Sequence, residues 1–405
     1  MEVLYERCCG LDVHKERIVA CVLDGKHKSI RSFGTVTDDL LTLVEWLKET
    51  RCECVAMEST GSYWKPIYNL LEMENIKALV VNAQHIKTVP GRKTDVKDAE
   101  WIANLLRHGL LKASFIPNRD QRELRELVRY RKSIIEERAR EFNRIQKVLE
   151  GANIKLSSVA STIKTISARD ILKSLSSGEE DPEVLASLAR GVMKNKREEL
   201  CRALKGLMAE HQRMILDEML KHTEYLDEQI VRLDQEVAKR LTPFDEAVEV
   251  IDSVPGIGRR SAETIIAEIG TDMSVFSSAK HLASWAGMCP GNNESAGKQK
   301  SSKTRKGNQT LRTTLVECAK AASRKNGCSF QDQYQRISAR RGKKRAIVAV
   351  GHSLLVVIYH LLRDGTTYQE LGPAYLERQN KASYVKKTVK RLEKLGLKVT
   401  IEEVA

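Results

Sequence analysis

The apolar positions of this chain change their period from one region to the next. Up to Asn82 they come as short runs: Cys8 to Val13, Ile18 to Leu23, Ile30 to Thr35, Cys54 to Glu58 and Ala78 to Asn82. Short apolar runs bounded by turn-forming or charged residues read as strands. Between them, Leu40, Leu41, Leu43, Val44 and Leu47 carry helical spacing, which predicts a helix over Asp38 to Glu49 with Asp38 or Asp39 as its cap. Trp64 to Glu72 reads as a second helix. Val96 to Gly109 reads as a third, with Ala99, Ile102, Ala103 and Leu106 on one face. Strands with interposed helices predict an α/β layer fold over residues 1–118.

From Arg119 to about Glu150 the pattern becomes that of one long charged helix. Leu124, Leu127, Val128, Ile134, Ile135, Phe142, Ile145 and Leu149 follow a coiled-coil-like spacing. Ser157 to Asp181 is Ser-rich and reads as a helical turn and linker. A second long helix is predicted from about Pro182 or Lys194 to Leu241, striped by Leu226, Ile230, Leu233 and Val237. The region 119–241 therefore reads as an antiparallel hairpin or coiled coil, either a spacer or a surface for assembling protomers. Thr242-Pro243 ends it. Residues 242–372 then read as a mainly helical domain, and 373–405 as a basic tail.

Charge changes the picture. The chain has 68 Lys and Arg against 54 Asp and Glu, a formal net charge of +14. Such a balance points to an anionic partner, with nucleic acid ahead of a membrane surface. No apolar run of about 18 residues and no signal peptide stands out, so a cytoplasmic protein is expected. Nine cysteines without a C-x-x-C pair read as reduced, mostly buried thiols and argue against a zinc site.

Two features localise the nucleic-acid reading. Val254-Pro-Gly-Ile-Gly258 reads as a tight turn between two helices, where Gly256 and Gly258 let backbone N–H groups approach a phosphate, as in a helix-hairpin-helix. From Gly291 to Arg345 there are fifteen Lys and Arg against three acids. Lys298, Lys300, Lys303, Arg305, Lys306 and Arg312 are the candidate contacts within it. Residues 291–307 read as a polar basic loop, Leu311 to Ser323 as a helix, and Ala346 to Leu362 as an apolar helix. A charge run is usually a solvated face, but here its density favours contact with nucleic acid.

Against this basic background, four acids stand out: Asp12, Glu58, Asp95 and Asp98. Asp12 and Glu58 end apolar strand-like runs, and Asp95 and Asp98 share one helix face by their i, i+3 spacing. Oxygen ligands of this kind suit Mg2+, and two such ions about 4 Å apart can clamp the attacking and leaving oxygens of a phosphodiester. The plainer readings are a turn acid for Asp12 and dipole-favoured acids at a helix start for Asp95 and Asp98. Glu100 falls near the same face. His14 reads as a structural or phosphate-proximal group, because magnesium prefers oxygen.

Taken together and in this order, several segments resemble the transposases of insertion sequence family 110, the DEDD-type, bridge-RNA-guided recombinases. They are Gly10-Leu-Asp-Val-His-Lys15, Glu58-Ser-Thr-Gly-Ser-Tyr-Trp64, Thr94-Asp-Val-Lys-Asp-Ala-Glu100, Val254-Pro-Gly-Ile-Gly258, Ala283-Ser-Trp-Ala-Gly-Met-Cys-Pro290 and Glu294-Ser-Ala-Gly-Lys298. The resemblance spans nearly the whole chain. It implies an N-terminal RuvC-like domain of ribonuclease-H type whose metal-binding acids are Asp12, Glu58, Asp95 and Asp98. It also implies a C-terminal transposase domain with a nucleophilic serine, which maps onto Ser295. Relatives often have Gly after that serine where this chain has Ala296, which leaves Ser301 and Ser302 as alternatives. The implied partners are element and target DNA, a guide RNA and a second or further copies of the chain in a homodimer or homotetramer, with no membrane, in a prokaryotic cytoplasm at the nucleoid. The competing classes are a metal-dependent, structure-specific endonuclease of the junction-resolvase sort and a non-catalytic nucleic-acid-binding protein.

Overall fold

The computed structural model describes residues 2–59, 61–82, 95–291, 293–295, 298–301, 303–304, 306–370, 372 and 381–401. The chain divides into two compact units, Met1–Ile116 and Pro117–Ala405.

The first unit is built on a five-stranded sheet of β1 (Arg7–Val13), β2 (Ile18–Asp24), β3 (His27–Phe33), β4 (Cys54–Glu58) and β5 (Ala78–Val81), ordered β3-β2-β1-β4-β5. β1, β4 and β5 run parallel, and β2 is antiparallel to both β1 and β3. Helices α1 (Thr37–Glu49) and α2 (Trp64–Met73) cover one face of the sheet, and α3 (Asp95–Arg107) covers the other. Burial on both faces explains why β1, β2 and β4 read as continuous apolar runs rather than alternating ones. Along β1 the side chains still alternate: Cys9, Leu11 and Val13 enter the core under α1 and α2, while Cys8 enters the core under α3.

The close packing of α3 depends on Gly10. A Cβ there would lie 2.2 Å from the carbonyl oxygen of Ala99 and 2.4 Å from the amide nitrogen of Ala103. Glycine on the strand and two alanines one turn apart on the helix let the two backbones touch. β3 begins three residues earlier than the predicted start at Ile30. It is a polar edge strand, exposed along most of its length, so hydrophobicity could not reveal it. The edge is protected by charged side chains such as Lys28 and Arg31. All nine cysteines are free, and seven of them are buried. Burial pushes the Cys8 and Cys52 thiols up to about 12 and that of Cys21 up to about 11.

Among the described residues the second unit is helical apart from one hairpin. α4 (Arg119–Gly151) and α9 (Glu210–Leu241) form a long antiparallel pair. Ion pairs mark the register: Glu123 with Arg240 at 2.8 Å, Arg131 with Asp234 at 2.9 Å, and Arg138 with Asp227. Ile134, Leu226 and Ile230 close the seam. The expected second helix starts later than predicted, because residues 156–204 are not a linker. They fold into α5 (Leu156–Val159), α6 (Ile166–Ser176), α7 (Pro182–Ser187) and α8 (Arg197–Leu204). These short helices bury Ile171, Leu172, Leu175, Leu185, Leu200 and Leu204 against Phe142, Ile145 and Leu149 of α4 and Leu216 and Leu220 of α9. The Ser-rich composition concealed this, because each helix is too short to set up a strong period. Thr165 and Asp181 cap two of them.

Beyond Leu241 come α10 (Asp245–Asp252), α11 (Arg259–Ile269), α12 (Ala279–Trp285), strands β6 (Asn293–Ser295) and β7 (Lys298–Ser301), α13 (Gln309–Ala322), α14 (Ser329–Arg341), α15 (Lys343–Asp364) and α16 (Lys381–Glu393). The stretch 291–307, read from the sequence as a loop, contains this two-stranded antiparallel hairpin. α15 is long and apolar enough, by length and composition alone, to cross a membrane, where no such run was expected. Its stripe of Ala346, Val350, Leu354, Leu355, Ile358 and Leu361 is buried, as in the core helix of a folded domain.

Candidate active-site acids and the serine hairpin

Parallel pairing fixes the first two acids. Cys8, Cys9, Gly10 and Leu11 of β1 lie opposite Cys54, Val55, Ala56 and Met57 of β4. The same register, continued by one residue, sets Asp12 beside Glu58 on neighbouring strands about 4.8 Å apart. Cys8, Cys54 and Ala56 face α3. Asp12 and Glu58 follow these residues in the same alternation, so both point to the α3 face.

The path of α3 brings its acids to the same place. The Leu4 amide donates to the Arg107 carbonyl at 2.8 Å, the Cys8 thiol to the Ala103 carbonyl at 3.5 Å, and Gly10 meets Ala99 and Ala103. α3 therefore runs against β1. About two strand residues match one helical turn. The first turn of α3, which bears Asp95 and Asp98, is thus level with Asp12. Glu100 faces away towards β3, where Lys28 donates to it at 3.0 Å.

Asp12 is largely covered, with its side chain 14% exposed, and His14 shares a hydrogen bond with its Oδ2 at 3.0 Å. An open hollow of about 380 Å³ is lined by Val13, His14, Lys15, Glu16 and Tyr63, without Asp12 in its wall. Among the described residues no three His, Cys, Asp or Glu side chains are gathered closely enough to hold a metal ion. The side chain of Asp95 lies outside that description. Donor chemistry still fits a hard divalent cation: carboxylate oxygens only, brought to one end of one sheet face by backbone register.

In the second unit, Ser295 is the last residue of β6 and pairs with Lys298, the first of β7. Only residues 296 and 297 separate the strands, so Ser295 stands at the tip of a tight hairpin. The tip sequence Ala296-Gly297 and residues Ser302 and Arg305 lie outside the described residues. Ser301 ends β7, away from the tip.

The base of the hairpin is clamped by side chains. Pro290 bridges to Thr304, and the Gly291 amide donates to the Lys303 carbonyl at 2.9 Å. Arg312, expected to contact nucleic acid, donates from Nη1 to the Gly287 carbonyl at 3.0 Å and to Thr304 Oγ1 at 2.6 Å. Asn308 caps α13 by accepting from the Leu311 amide at 3.1 Å, and its Nδ2 donates to Glu268. Glu268 is fully buried, and Arg129 of α4 holds both its oxygens at 2.7 and 2.8 Å. Arg125 also donates to the Glu268 carbonyl at 2.6 Å. A buried carboxylate needs such partners. The one sequence signal was an acid inside the apolar run Thr264-Ile-Ile-Ala-Glu-Ile269, together with a cap-forming Asn before α13. Lys303 and Lys306 are exposed.

The Pro255-Gly256-Ile257-Gly258 turn does join two helices, α10 and α11. Its glycines differ in purpose. Gly256 has φ +84, and a Cβ there would fall 2.4 Å from the Ala322 amide nitrogen and 2.6 Å from the Cys318 carbonyl oxygen. This glycine is required for close packing against α13. Gly258, at the start of α11, faces open space. The adjoining Arg259 pairs with Asp245 at 2.9 Å, and Arg260 pairs with Asp234.

Nearly all of the mixed sheet lies within one transposase match and the serine hairpin within another. Residues 9–154 match the DEDD-type transposase model, and residues 248–335 match the model described as transposase IS116/IS110/IS902 family. The transposase for insertion sequence element IS1111A of Coxiella burnetii is 25% identical over 369 residues, 89% of this chain and 90% of that protein. The pilin gene-inverting protein of Moraxella bovis is 29% identical over 38% of this chain and 48% of its own length. An insertion element IS110 protein of Streptomyces coelicolor is 33% identical over 32% of each chain. The chain belongs to the IS110 family of transposases. DNA is accordingly its substrate, and the DEDD designation implies divalent-metal chemistry for the family.

Proposed function

We propose that this transposase cleaves and rejoins the strands of an insertion sequence through a covalent phosphoserine intermediate formed by Ser295. The observation that carries the reading is the placement of Ser295 at the tip of a hairpin whose base is clamped, on a scaffold rich in cations. Oγ of Ser295 forms a bond to phosphorus, one backbone P–O bond breaks, and the departing strand leaves as a hydroxyl that takes a proton. Reversal with another strand's hydroxyl restores the diester and releases the serine, so the bond energy is kept and no ATP is needed. A serine hydroxyl is a weak nucleophile and needs charge stabilisation at the phosphate. Lys298, Lys300 and Arg305 are the candidates for it.

Asp12, Glu58, Asp95 and Asp98 would hold Mg2+, which when bound polarises a phosphate oxygen. In this reading the first unit is a RuvC-like, ribonuclease-H-type domain. Asp12 is oriented by His14, and the neighbouring strand and helix acids share the charge of the site. Further parts of the proposal are a guide RNA that supplies sequence recognition, backbone contacts at Gly258, Lys303 and Lys306, and assembly into a dimer or tetramer through α4 and α9. The domain limits 1–118, 119–241, 242–372 and 373–405 belong to it as well.

Two substitutions test the chemistry separately. Ser295→Ala is expected to abolish the denaturant-resistant protein–DNA adduct and strand exchange while leaving DNA binding intact; an adduct that persists overturns the serine assignment. Asp12→Asn is expected to lower Mg2+-dependent strand cleavage by roughly 10³-fold or more, again without loss of binding. Undiminished cleavage by that variant would remove the acids from the mechanism. Cleavage that survives Ser295→Ala without rejoining would identify a metal-dependent endonuclease instead.

A further inference from the structure

α14 ends at Arg341 and is capped by Gly342, with φ +82, and α15 begins on the next residue. Six cations surround this turn: Arg336, Arg340, Arg341, Lys343, Lys344 and Arg345, all exposed. Salt bridges elsewhere in the same unit set the standard for comparison. Arg119, Arg131, Arg138 and Arg144 of α4 each hold a carboxylate. Of the six at the turn, none pairs with a carboxylate among the described residues. Their placement is also costly for the free protein. Arg340 and Arg341 suit the C-terminal end of α14, but Lys343, Lys344 and Arg345 occupy the first turn of α15, which contains no acid. Cations there oppose the helix dipole and repel one another. A local choice that conflicts with the fold marks a functional demand.

We infer that the α14–α15 turn is a second DNA-contacting surface of this chain, separate from the serine hairpin, which grips the phosphate backbone of duplex DNA without reading its sequence. The occupant is set by charge and by the substrate of the family: an anion with closely repeated charges neutralises adjacent unpaired cations, and duplex DNA carries one charge per about 1.7 Å of its axis. The proposal goes beyond the serine reading and does not depend on it.

The test uses the full-length protein and a random-sequence 30-base-pair duplex, with affinity measured across a salt series. For Lys343→Gln/Lys344→Gln/Arg345→Gln, affinity at low salt is expected to fall at least tenfold. The slope of log affinity against log salt should become shallower by about 2 to 3. The thermal midpoint of the free variant should be unchanged or higher, since charges that oppose the dipole are gone. The control Lys173→Gln/Lys221→Gln/Arg232→Gln removes equal charge from ion-paired positions and should change the slope far less. Equal losses in both variants would reduce the effect to net charge and overturn the proposal, as would an unchanged slope in the folded triple variant. A loss seen with structured RNA and not with the duplex would overturn the assignment to DNA.

Discussion

The two units hold their candidate reactive groups by different means. In the first, Asp12 and Glu58 sit on neighbouring strands, and the sheet register that sets them side by side is made by backbone hydrogen bonds. In the second, Ser295 rides on two short strands, too small to be stable alone. Side chains hold it: Arg312 at the base, Asn308 on the return limb, and Glu268 with Arg129 beneath. The acids should therefore be sensitive to changes in backbone fit, and the serine to changes in distant side chains.

Glu268→Ala offers the sharpest attack on this contrast. It leaves Arg129 and Asn308 without their buried acceptor while Arg125 keeps its backbone carbonyls, with an expected cost of about 3–5 kcal/mol in denaturant unfolding of the second unit. Glu268→Gln keeps one acceptor and should cost less. If the alanine variant were as stable as the parent, the clamp would not be holding the hairpin. Gly10→Ala is the counterpart in the first unit. Its methyl group meets the α3 backbone, so about 1–3 kcal/mol should be lost, and cleavage should fall as Asp95 and Asp98 move off Asp12. Full activity at normal stability would show that α3 does not fix the acids.

A milder effect concerns pH. Folded Cys8, Cys21 and Cys52 titrate well above 9.0, the ordinary value, because burial disfavours the thiolate. Their contribution to stability is complete below that value. It is lost as pH rises, because the unfolded thiols ionise first. Thermal melts of the first unit should weaken above about pH 9, and replacing these thiols by alanine or valine should flatten that slope. The smallest change belongs to Gly258→Ala. Open space and a φ of −110 predict a stability shift within about 0.5 kcal/mol, so any loss of DNA affinity measured there reports contact alone.

Much of the first unit was legible in the sequence because double-sided burial writes itself as apolar runs. β4 ends on Glu58, and α3 carries Ala99, Ile102, Ala103 and Leu106 inward. What remained hidden is the close approach of α3 to β1, the contact of Gly10 with Ala99 and Ala103, which no periodicity encodes. In the second unit the long helices were readable from their stripes. The short helices of 156–204 and the hairpin at 293–301 were not, since the first are brief and the second is polar and basic. The structural role of Arg312 stayed hidden for a related reason. A cation in a basic stretch looks like a phosphate ligand until the carbonyl it serves, 25 residues away at Gly287, is in view.

The position of α15 has a consequence for synthesis. The first unit has its full complement of strands and helices once residue 116 has left the ribosome, whereas the core around α13 and α14 waits for the apolar helix that ends at Asp364. At ordinary translation speeds the gap is roughly 10–50 s. Throughout that interval the nascent chain displays a finished first unit while the second still lacks its apolar core helix. A chain that stalls or is truncated before α15 would carry a complete first unit and a second unit lacking the helix on which α13 and α14 pack.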